Sequence, residues 1–329
     1  MKLGKVKHTI VDRSIVKNLK HTRKEVLEKP GVGVDAARIE METGSTIVTA
    51  IATVAGKDRF GMDLAIHRAV NNVYVKGGRP IGVSLAITFP EFAEEARLKE
   101  VMERANIVCA QLGIDIIGGH TTVLKAVKEM VITVSAIGEA AVSNEEYKVD
   151  RSQTKDADIV LTKWVGMEAT ILLTNAKMQE LNTRYTKTFL EGGSRLYEHL
   201  SLKPEMDAIK EESYLFLHDV GEGGIFGALW ELGEYLHAGM EVNLKNIPMK
   251  QETVEVCDFY DLNPYMLQSG GSMLIVTKAA GKLIDKLEQA GIKAAVIGHL
   301  TDGNDRIVKN EDETRFIEPF RFDEIYKAL

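Results

Sequence analysis

The sequence predicts a mixed α/β (α+β) protein of two domains, and three observations lead to this fold class. Apolar runs of strand length alternate with longer segments of helical periodicity in both halves of the chain. The chain turns polar over residues 143–156, which predicts a boundary between one domain at 1–150 and a second at 151–329. The 329 residues are enough for two hydrophobic cores of ordinary size.

The first half combines β-branched strands with one strongly periodic helix. Residues 45–54 are rich in threonine, valine and isoleucine, which is typical of a strand. Apolar residues from Phe92 to Leu112 recur at a spacing of three to four, and Gly113 ends that helix. The predicted strands are 37–40, 45–54, 81–89, 114–117 and 130–137, and the predicted helices are 61–77 and 90–112.

The second half repeats this mixture after the polar stretch. A strand is predicted at 158–164, and helices follow up to residue 200. The remaining predictions are a strand–turn–helix unit at 214–236, strands near 241–245, 272–277, 293–299 and 305–308, and helices at 251–260 and 280–290.

The unit at 214–236 is the most informative part of the chain. Its apolar run ends in His218 and Asp219, and three glycines follow within four positions before a helical pattern begins. Bare backbone N–H groups at a helix start, together with the helix dipole, form an anion site. A glycine-rich turn with an ordinary capping aspartate explains the same residues. This segment alone leaves both interpretations open.

Similar glycine-rich elements occur three more times and support the ligand-binding interpretation. The Gly118-Gly119-His120-Thr121 segment is predicted to be a turn at the end of an apolar strand. The other two are a glycine loop at 31–33 that ends in Asp35-Ala36-Ala37, and the pair Asn71-Asn72 before Gly77-Gly78-Arg79-Pro80.

Taken in order, these motifs resemble the AIR synthase-related superfamily, which includes formylglycinamidine synthase, selenophosphate synthetase, thiamine-phosphate kinase and the hydrogenase maturation carbamoyl dehydratase. The resemblance extends over nearly the whole chain and is strongest to the hydrogenase maturation group. It implies an AIR synthase-like two-domain fold in which the N-terminal halves of two subunits pair into a β-barrel. It therefore implies a homodimer, with a nucleotide in a cleft between the two domains.

The resemblance also implies ATP with Mg²⁺ as cofactors and phosphoryl transfer to a small substrate. Magnesium prefers hard oxygen ligands, and phosphate oxygens prefer backbone donors. On matching positions, the resemblance implies metal binding by Asp35, Asn72 and Asp219 and catalytic roles for His120 and His218. It implies nucleotide binding by Gly31, Gly33, His67, Asn71, Gly118, Gly119, Thr121, Gly223 and Gly224.

The sequence departs from the family pattern at the carboxylates. Ile51 or a neighbour stands where many members carry a metal-binding aspartate, and Asn72 replaces an aspartate. His120 stands where catalytic relatives often have aspartate, although the most similar group also carries histidine there. Fewer carboxylates are expected to weaken magnesium binding. Residues 324–329 contain no cysteine to accept a carbamoyl group, so that specific chemistry is not expected.

Composition and charge argue against several other classes. The chain is 45% hydrophobic and 27% charged, which is ordinary for a soluble protein, and no run reaches the ~20 apolar residues of a membrane span. Its two cysteines indicate a reducing compartment, and we expect a cytoplasmic protein. The net charge of −7 and the lack of interleaved aromatic residues argue against nucleic acid as a partner.

The first 30 residues form a basic arm with nine Lys/Arg and three Asp/Glu. A solvated helical face is the simplest explanation of these lysines. An acidic partner and closure over a phosphate ligand are the alternatives.

Three functions are compatible with the sequence. The first is an ATP-dependent enzyme that phosphorylates a carbonyl or amide-type small metabolite. The second is a non-catalytic homologue that binds a nucleotide or metabolite with a degenerate metal site. The third is a maturation protein that works with a partner protein. The retained Asp35, His218 and Asp219 favour the first, and the missing carboxylates favour the second.

Overall fold

The computed structural model describes residues 6–19, 23–28, 31–56, 60–141, 149, 151–320 and 322–329. The chain divides into two compact units. The N-terminal unit comprises Thr22–Lys29 and Asp35–Tyr147, and the C-terminal unit comprises Met1–His21, Pro30–Val34 and Lys148–Leu329. The domain boundary predicted at residue 150 lies outside the described residues. None of the described helices has the length and apolar character needed to cross a bilayer.

Helices and strands alternate along both units. The helices are α1 (His8–Ser14), α2 (Gly61–Val75), α3 (Glu95–Leu112), α4 (Met167–Ala176), α5 (Met178–Leu181), α6 (Lys187–Arg195), α7 (Lys203–Ala208), α8 (Gly224–Leu236), α9 (Gln251–Tyr260) and α10 (Ala280–Gln289). The strands are β1 (Ala37–Glu40), β2 (Thr46–Ala55), β3 (Gly78–Phe89), β4 (Asp115–Val123), β5 (Val131–Ala140), β6 (Asp158–Thr162), β7 (Phe216–Val220), β8 (Gly239–Asn243), β9 (Ser272–Thr277), β10 (Ala294–Thr301), β11 (Arg306–Asn310) and β12 (Glu313–Phe316). The mixed α/β class predicted from the sequence is confirmed.

The N-terminal unit is built on a five-stranded sheet in the order β1-β2-β5-β3-β4. Its pairs are antiparallel except β3 with β4, which is parallel. The long helix α2 packs on β2 and β5 and contacts α3. Val48, Val83 and Val134 are fully buried in this core. Because side chains alternate across a strand, the odd-numbered residues of β2 face the other way, and Ile51 is 66% exposed there.

Strand β4 corrects one sequence prediction. We expected residues 114–117 to be the strand and 118–122 to be a turn. Instead β4 continues to Val123 and pairs with β3 throughout, with a register shift beside Ser84. A Cβ on Gly119 would lie only 2.2 Å from the carbonyl oxygen of Leu85. This glycine therefore serves close strand approach, which a sequence pattern cannot distinguish from a turn.

Helix α3 begins later than predicted. The pattern suggested a start at Pro90, but the helix begins at Glu95 after an extended Glu94. Phe92 precedes the helix and is 70% exposed, so it is not part of the apolar face to which we assigned it. The end of the helix is as predicted, because Gly113 caps it in the left-handed conformation.

The C-terminal unit contains a seven-stranded sheet in the order β12-β11-β8-β10-β6-β9-β7. β8 and β11 are parallel, and the other pairs are antiparallel. β9 is buried along its whole length, so it reads in the sequence as a continuous apolar run. Helix α8 packs its apolar face against this sheet. A second apolar cluster joins α4 and α9.

Both cysteines are buried and free. Burial raises the pKa of the Cys109 thiol to about 11 and that of Cys257 to about 12. Thiols that stay protonated at neutral pH are poor metal ligands and poor nucleophiles. Cysteine chemistry therefore has no place in the candidate site.

Candidate functional site

The glycine turn between β7 and α8 has the geometry predicted from its sequence. Gly223 and Gly224 have φ angles of 91° and 63°, in the left-handed region that favours glycine. A Cβ on Gly224 would lie 2.7 Å from the backbone nitrogen of Leu267, so no side chain fits there. The strand–turn–helix prediction for residues 214–236 is confirmed.

The amides of this turn already have partners within the protein. The N–H of Gly223 donates to Oδ2 of Asp323 at 2.7 Å. The N–H of Gly224 donates to the carbonyl oxygen of Gly221 at 3.2 Å. A phosphate that used these same two N–H groups would have to share them with Asp323 and Gly221. Nucleotide binding by the two glycines thus stays a prediction.

A buried carboxylate, Glu231 on α8, lies between two histidines. One of its oxygens is 3.4 Å from Nε2 of His218, which is 1% exposed and is the middle residue of β7. Its other oxygen is 3.4 Å from Nε2 of His8 on α1. A buried carboxylate is costly unless it is paired or hydrogen-bonded. This arrangement fixes His218 beside the glycine turn, and its catalytic role stays a prediction.

The basic arm contributes a residue that sequence reasoning missed. The His8 imidazole stacks on the Trp230 indole, with ring centroids 4.6 Å apart. Trp230 packs against the apolar core and also supports this histidine. Glu231 was missed as well, although an acidic residue within the apolar run Ala228–Leu232 is a signal that could have found it. Nothing in the local sequence indicated that His8 would meet it.

Asp219, the predicted metal ligand, is half-buried in β7 next to His218. Successive residues of a strand point to opposite faces, so Asp219 and His218 do not share one face of the sheet. Asp219 lies opposite Met273 of the neighbouring strand. Its metal-binding role stays a prediction.

The glycine loop at residues 31–34 lies against α8 within the C-terminal unit. Gly33 has φ of 73°, and a Cβ there would lie 3.1 Å from the carbonyl oxygen of Glu231. The loop therefore needs glycine for close approach to the helix. Asp35 follows the loop, belongs to the N-terminal unit and is half-buried before β1. Nucleotide binding by Gly31 and Gly33 and metal binding by Asp35 stay predictions.

Helix α2 carries the predicted residues His67, Asn71 and Asn72. His67 and Asn71 are 9% and 3% exposed, and their spacing of four places them on one helix face. Asp63, one turn earlier on that face, pairs with Arg104 of α3. Asn72 is turned from this face and is half-buried. The helix thus has a polar buried face, and the ligand roles of these residues are untested.

The predicted residues of the Gly-Gly-His-Thr motif lie in strand β4, not in a turn. β4 is an edge strand, and His120 and Thr121 are both exposed on it. The register places His120 opposite Ala86 of β3. His120 is therefore accessible, and Gly119 permits the close approach to β3. The catalytic role of His120 and nucleotide binding by Gly118, Gly119 and Thr121 remain predictions.

Comparison with known protein families decides the identity of the fold. The AIR synthase related protein N-terminal domain matches residues 33–140, and the corresponding C-terminal domain matches residues 156–310. The chain belongs to the AIR synthase-related proteins. The resemblance inferred from the motifs is confirmed.

Two curated AIR synthase-related relatives are carbamoyl dehydratases named HypE. The protein from Rhizobium leguminosarum bv. viciae is 22% identical over 289 residues, which cover 86% of this chain and 79% of that protein. The protein from Rhodobacter capsulatus is 24% identical over 278 residues, which cover 83% of this chain and 76% of that protein.

Solved structures with the AIR synthase-related fold superpose over most of the chain. The HypE–HypF complex matches with a TM-score of 0.72 and 18% identity, covering 94% of this chain and 99% of that one. HypE in complex with ATP matches with a TM-score of 0.67 and 18% identity, covering 97% of this chain and 96% of that one. ThiL complexed with AMPPCP and TMP matches with a TM-score of 0.68 and 17% identity, covering 95% of this chain and 98% of that one. At these identities the match establishes the fold.

Proposed function

We propose that the protein is an ATP-dependent enzyme that phosphorylates a carbonyl or amide oxygen of a small metabolite. The observation that carries the proposal is the match of both AIR synthase-related domains in order over most of the chain. Two structural relatives support the nucleotide, since they were solved with ATP and with AMPPCP. Mg²⁺ is part of the proposal because a triphosphate needs its charge neutralised.

The residues present fit a nucleotide and metal only in part. Asp219 and Asp35 are half-buried carboxylates of the kind that Mg²⁺ accepts. Asn72 brings an oxygen without charge, and Ile51 brings neither. Bound ATP with Mg²⁺ would supply the phosphoryl group. In this proposal each of these carboxylates is a candidate metal ligand, and the glycine turn would orient the phosphates through its backbone.

In the proposed reaction, His120 and His218 are the candidate groups for proton transfer. Glu231 holds His218 in a buried position beside the turn, so the imidazole is fixed before any ligand binds. His120 is exposed, and an imidazole can accept and donate a proton. In this proposal His120 and His218 both have catalytic roles, and His120 moves the substrate proton.

The enzyme proposal is tested by the consumption of ATP in the presence of candidate substrates. The protein would be incubated with ATP, Mg²⁺ and a panel of small amides and carboxylates, and ADP would be measured. We expect ADP formation that rises with one class of metabolite and falls by roughly 10²-fold or more in His120→Ala, the size expected for loss of a general acid–base group. Unchanged background hydrolysis with every metabolite would contradict the proposal.

A non-catalytic binding protein is the second candidate, favoured by one specific observation. Ile51 is 66% exposed on β2, so no carboxylate stands where family members place a metal ligand. A nucleotide bound without Mg²⁺ and without turnover would support this candidate.

We further propose a homodimer formed through the open face of the N-terminal sheet. The face that carries Ile51 has exposed positions on the central part of a five-stranded sheet, and the edge strand β4 is exposed as well. Exposed apolar sheet faces and edges are usually covered by a partner in native proteins. A HypE relative solved with HypF also makes a protein partner a proposal for this chain.

The dimer proposal predicts that Ile51→Asp yields a monomer of 36.4 kDa. The aspartate would place a charge in the proposed apolar interface, where burial without a partner is costly. Light scattering at micromolar concentration would measure the mass. Ile107→Asp is the matched control, because Ile107 is also exposed, at 45%, but lies on α3. A wild-type protein that is already monomeric would contradict the dimer.

A further inference from the structure

Phe320, Asp323 and Tyr326 contact the glycine turn, although they are about 100 positions away in sequence. The Phe320 ring covers Gly223 so closely that a Cβ there would lie 2.5 Å from the ring. The hydroxyl of Tyr326 donates to Oε1 of Glu222 at 3.3 Å. This part of the chain therefore contacts the turn at two consecutive residues.

Asp323 makes the most specific contacts in this segment, and it is completely buried. Its Oδ2 accepts the N–H of Gly223 at 2.7 Å. Its Oδ1 accepts the N–H of Gln268 at 3.3 Å and that of Ile325 at 3.0 Å. One carboxylate thus binds three backbone amides from three separate segments of the chain. Hydrogen bonds to an ionised acceptor are about twice as strong as neutral ones.

One of the segments joined by Asp323 is the glycine turn that the sequence singled out, and another contains Gly270 and Gly271. The turn at 221–224 and the segment at 265–271 also contact each other directly, since the N–H of Ser269 donates to the carbonyl oxygen of Gly221 at 3.2 Å. We infer that Asp323 is a positioning residue of the proposed nucleotide site, which fixes the glycine turn against the 265–271 segment. This inference rests on the proposed function, because it assigns the turn to the nucleotide.

A simpler role, as the N-cap of the short helix Glu324–Lys327, explains only one of the three bonds. That cap is the bond from Ile325. Capping aspartates serve their own helix and are ordinarily near solvent. The bonds to Gly223 and Gln268 cross 100 and 55 positions of sequence, and the carboxylate is fully buried. The two long-range bonds are what a positioning role requires.

Burial raises the pKa of the Asp323 carboxyl to about 7, against the opposite effect of the Gly223 and Ile325 amides. Glu222, from the turn, raises this pKa further. On its own segment Glu324 accepts bonds from the Asn263 amide and from Lys327. The carboxyl therefore changes its protonation near neutral pH, and the ionised form binds the three amides best.

Two opposite pH effects follow from this carboxyl. The folded protein holds the proton more tightly than the unfolded chain, so this group favours folding at low pH and loses that contribution as the pH rises through about 7. Nucleotide binding, by contrast, is expected to weaken as the pH falls from 8 to 6, because the protonated carboxyl holds the turn less firmly. A group with only a structural role would give the first effect without the second.

The experiment uses Asp323→Asn in the full-length chain, with Asp312→Asn, an exposed aspartate, as the matched control. The dissociation constant for ATP would be measured by calorimetry from pH 6 to 8, together with the melting temperature. Hydrogen exchange of peptides covering 216–226 and 264–272 would be measured without nucleotide. For Asp323→Asn at pH 8 we expect about tenfold weaker ATP binding, the loss of a charged hydrogen bond, and faster exchange in both peptides.

The outcomes separate this inference from the proposed function. The ATP affinity of the wild type should fall with decreasing pH more steeply than that of Asp323→Asn. Protonation of the nucleotide itself affects both proteins equally, so it cancels in the ratio of their dissociation constants. Equal affinities and pH profiles would overturn the positioning role while leaving ATP binding intact. Unchanged exchange in both peptides would also overturn it. An absence of ATP binding by wild type would overturn the proposed function, whereas the exchange data would still report on the three-amide contact.

Discussion

Glu205→Ala is expected to destabilise the C-terminal unit by about 3–5 kcal/mol, because it leaves a buried lysine without its counter-ion. Nζ of Lys163 lies 2.7 Å from Oε1 of Glu205, and both side chains are almost completely buried. Lys163 also donates to the carbonyl oxygens of His199, Ser201 and Gly271. Without the carboxylate, the Lys163 ammonium group would have only these carbonyl oxygens as partners.

The surroundings explain why the effect should be large. Burial lowers the pKa of Lys163 and raises that of Glu205, whereas each partner acts in the opposite direction on the other. The attraction between the two groups therefore offsets the cost of their desolvation, and either charge would be unfavourable in the interior without the other. Lys163 follows β6 and has a φ of 55°, which is in the left-handed region that residues other than glycine disfavour.

Chemical denaturation and thermal melting would measure this effect. At ~2–4 °C per kcal/mol we expect the melting temperature to fall by roughly 10 °C. The control is Asp207→Ala, which breaks the exposed pair of Lys203 and Asp207 on α7 at the same distance of 2.7 Å. Exposed pairs contribute about 0–1 kcal/mol, so its effect should be small.

A double variant checks the electrostatic origin of the loss. Lys163→Met combined with Glu205→Leu should be more stable than Glu205→Ala, because no uncompensated charge remains in the interior. If Glu205→Ala were as mild as Asp207→Ala, the buried pair would not stabilise the fold as argued.

The sequence was sufficient where local patterns decide the structure. The run from Tyr214 to Glu234 predicted a strand, a glycine turn and a helix, because the apolar period changes from continuous to helical at the glycines. It was insufficient at Gly118-Gly119, where the same residue type permits a close approach of two strands. A glycine in the sequence indicates that a side chain is disfavoured at that position. Whether the cause is a turn or a close strand depends on the segment that packs against it.

The contacts that assemble the candidate site were beyond sequence reasoning for a different reason. His8 meets Glu231 across more than 200 positions, and Asp323 meets Gly223 across 100. Neither pairing leaves a periodic signal, because each depends on how distant segments pack. Glu231 could have given a hint, since an acidic residue in an apolar helical run needs a partner when it is buried.

ATP with Mg²⁺ is expected to raise the melting temperature of the wild-type protein by several degrees. A ligand at about 100 times its dissociation constant stabilises the folded state by ~2.7 kcal/mol. At ~2–4 °C per kcal/mol this is readily measured by differential scanning fluorimetry. Asp219→Ala should remove most of the magnesium-dependent part, because Asp219 is one of only two carboxylates that the family motifs retain in this sequence. Asp285→Ala, an exposed aspartate of α10, is the control.

Asn72→Asp tests the same metal site in the opposite direction. The substitution restores a carboxylate at a half-buried position, and a charged oxygen binds Mg²⁺ better than an amide oxygen. We therefore expect a larger magnesium-dependent shift than in wild type. An ATP shift that is the same with and without Mg²⁺ in all variants, with no ADP formed, would favour the non-catalytic binding protein. No shift with ATP, ADP or AMP at millimolar concentration would contradict nucleotide binding, because a ligand stabilises the fold only by binding it.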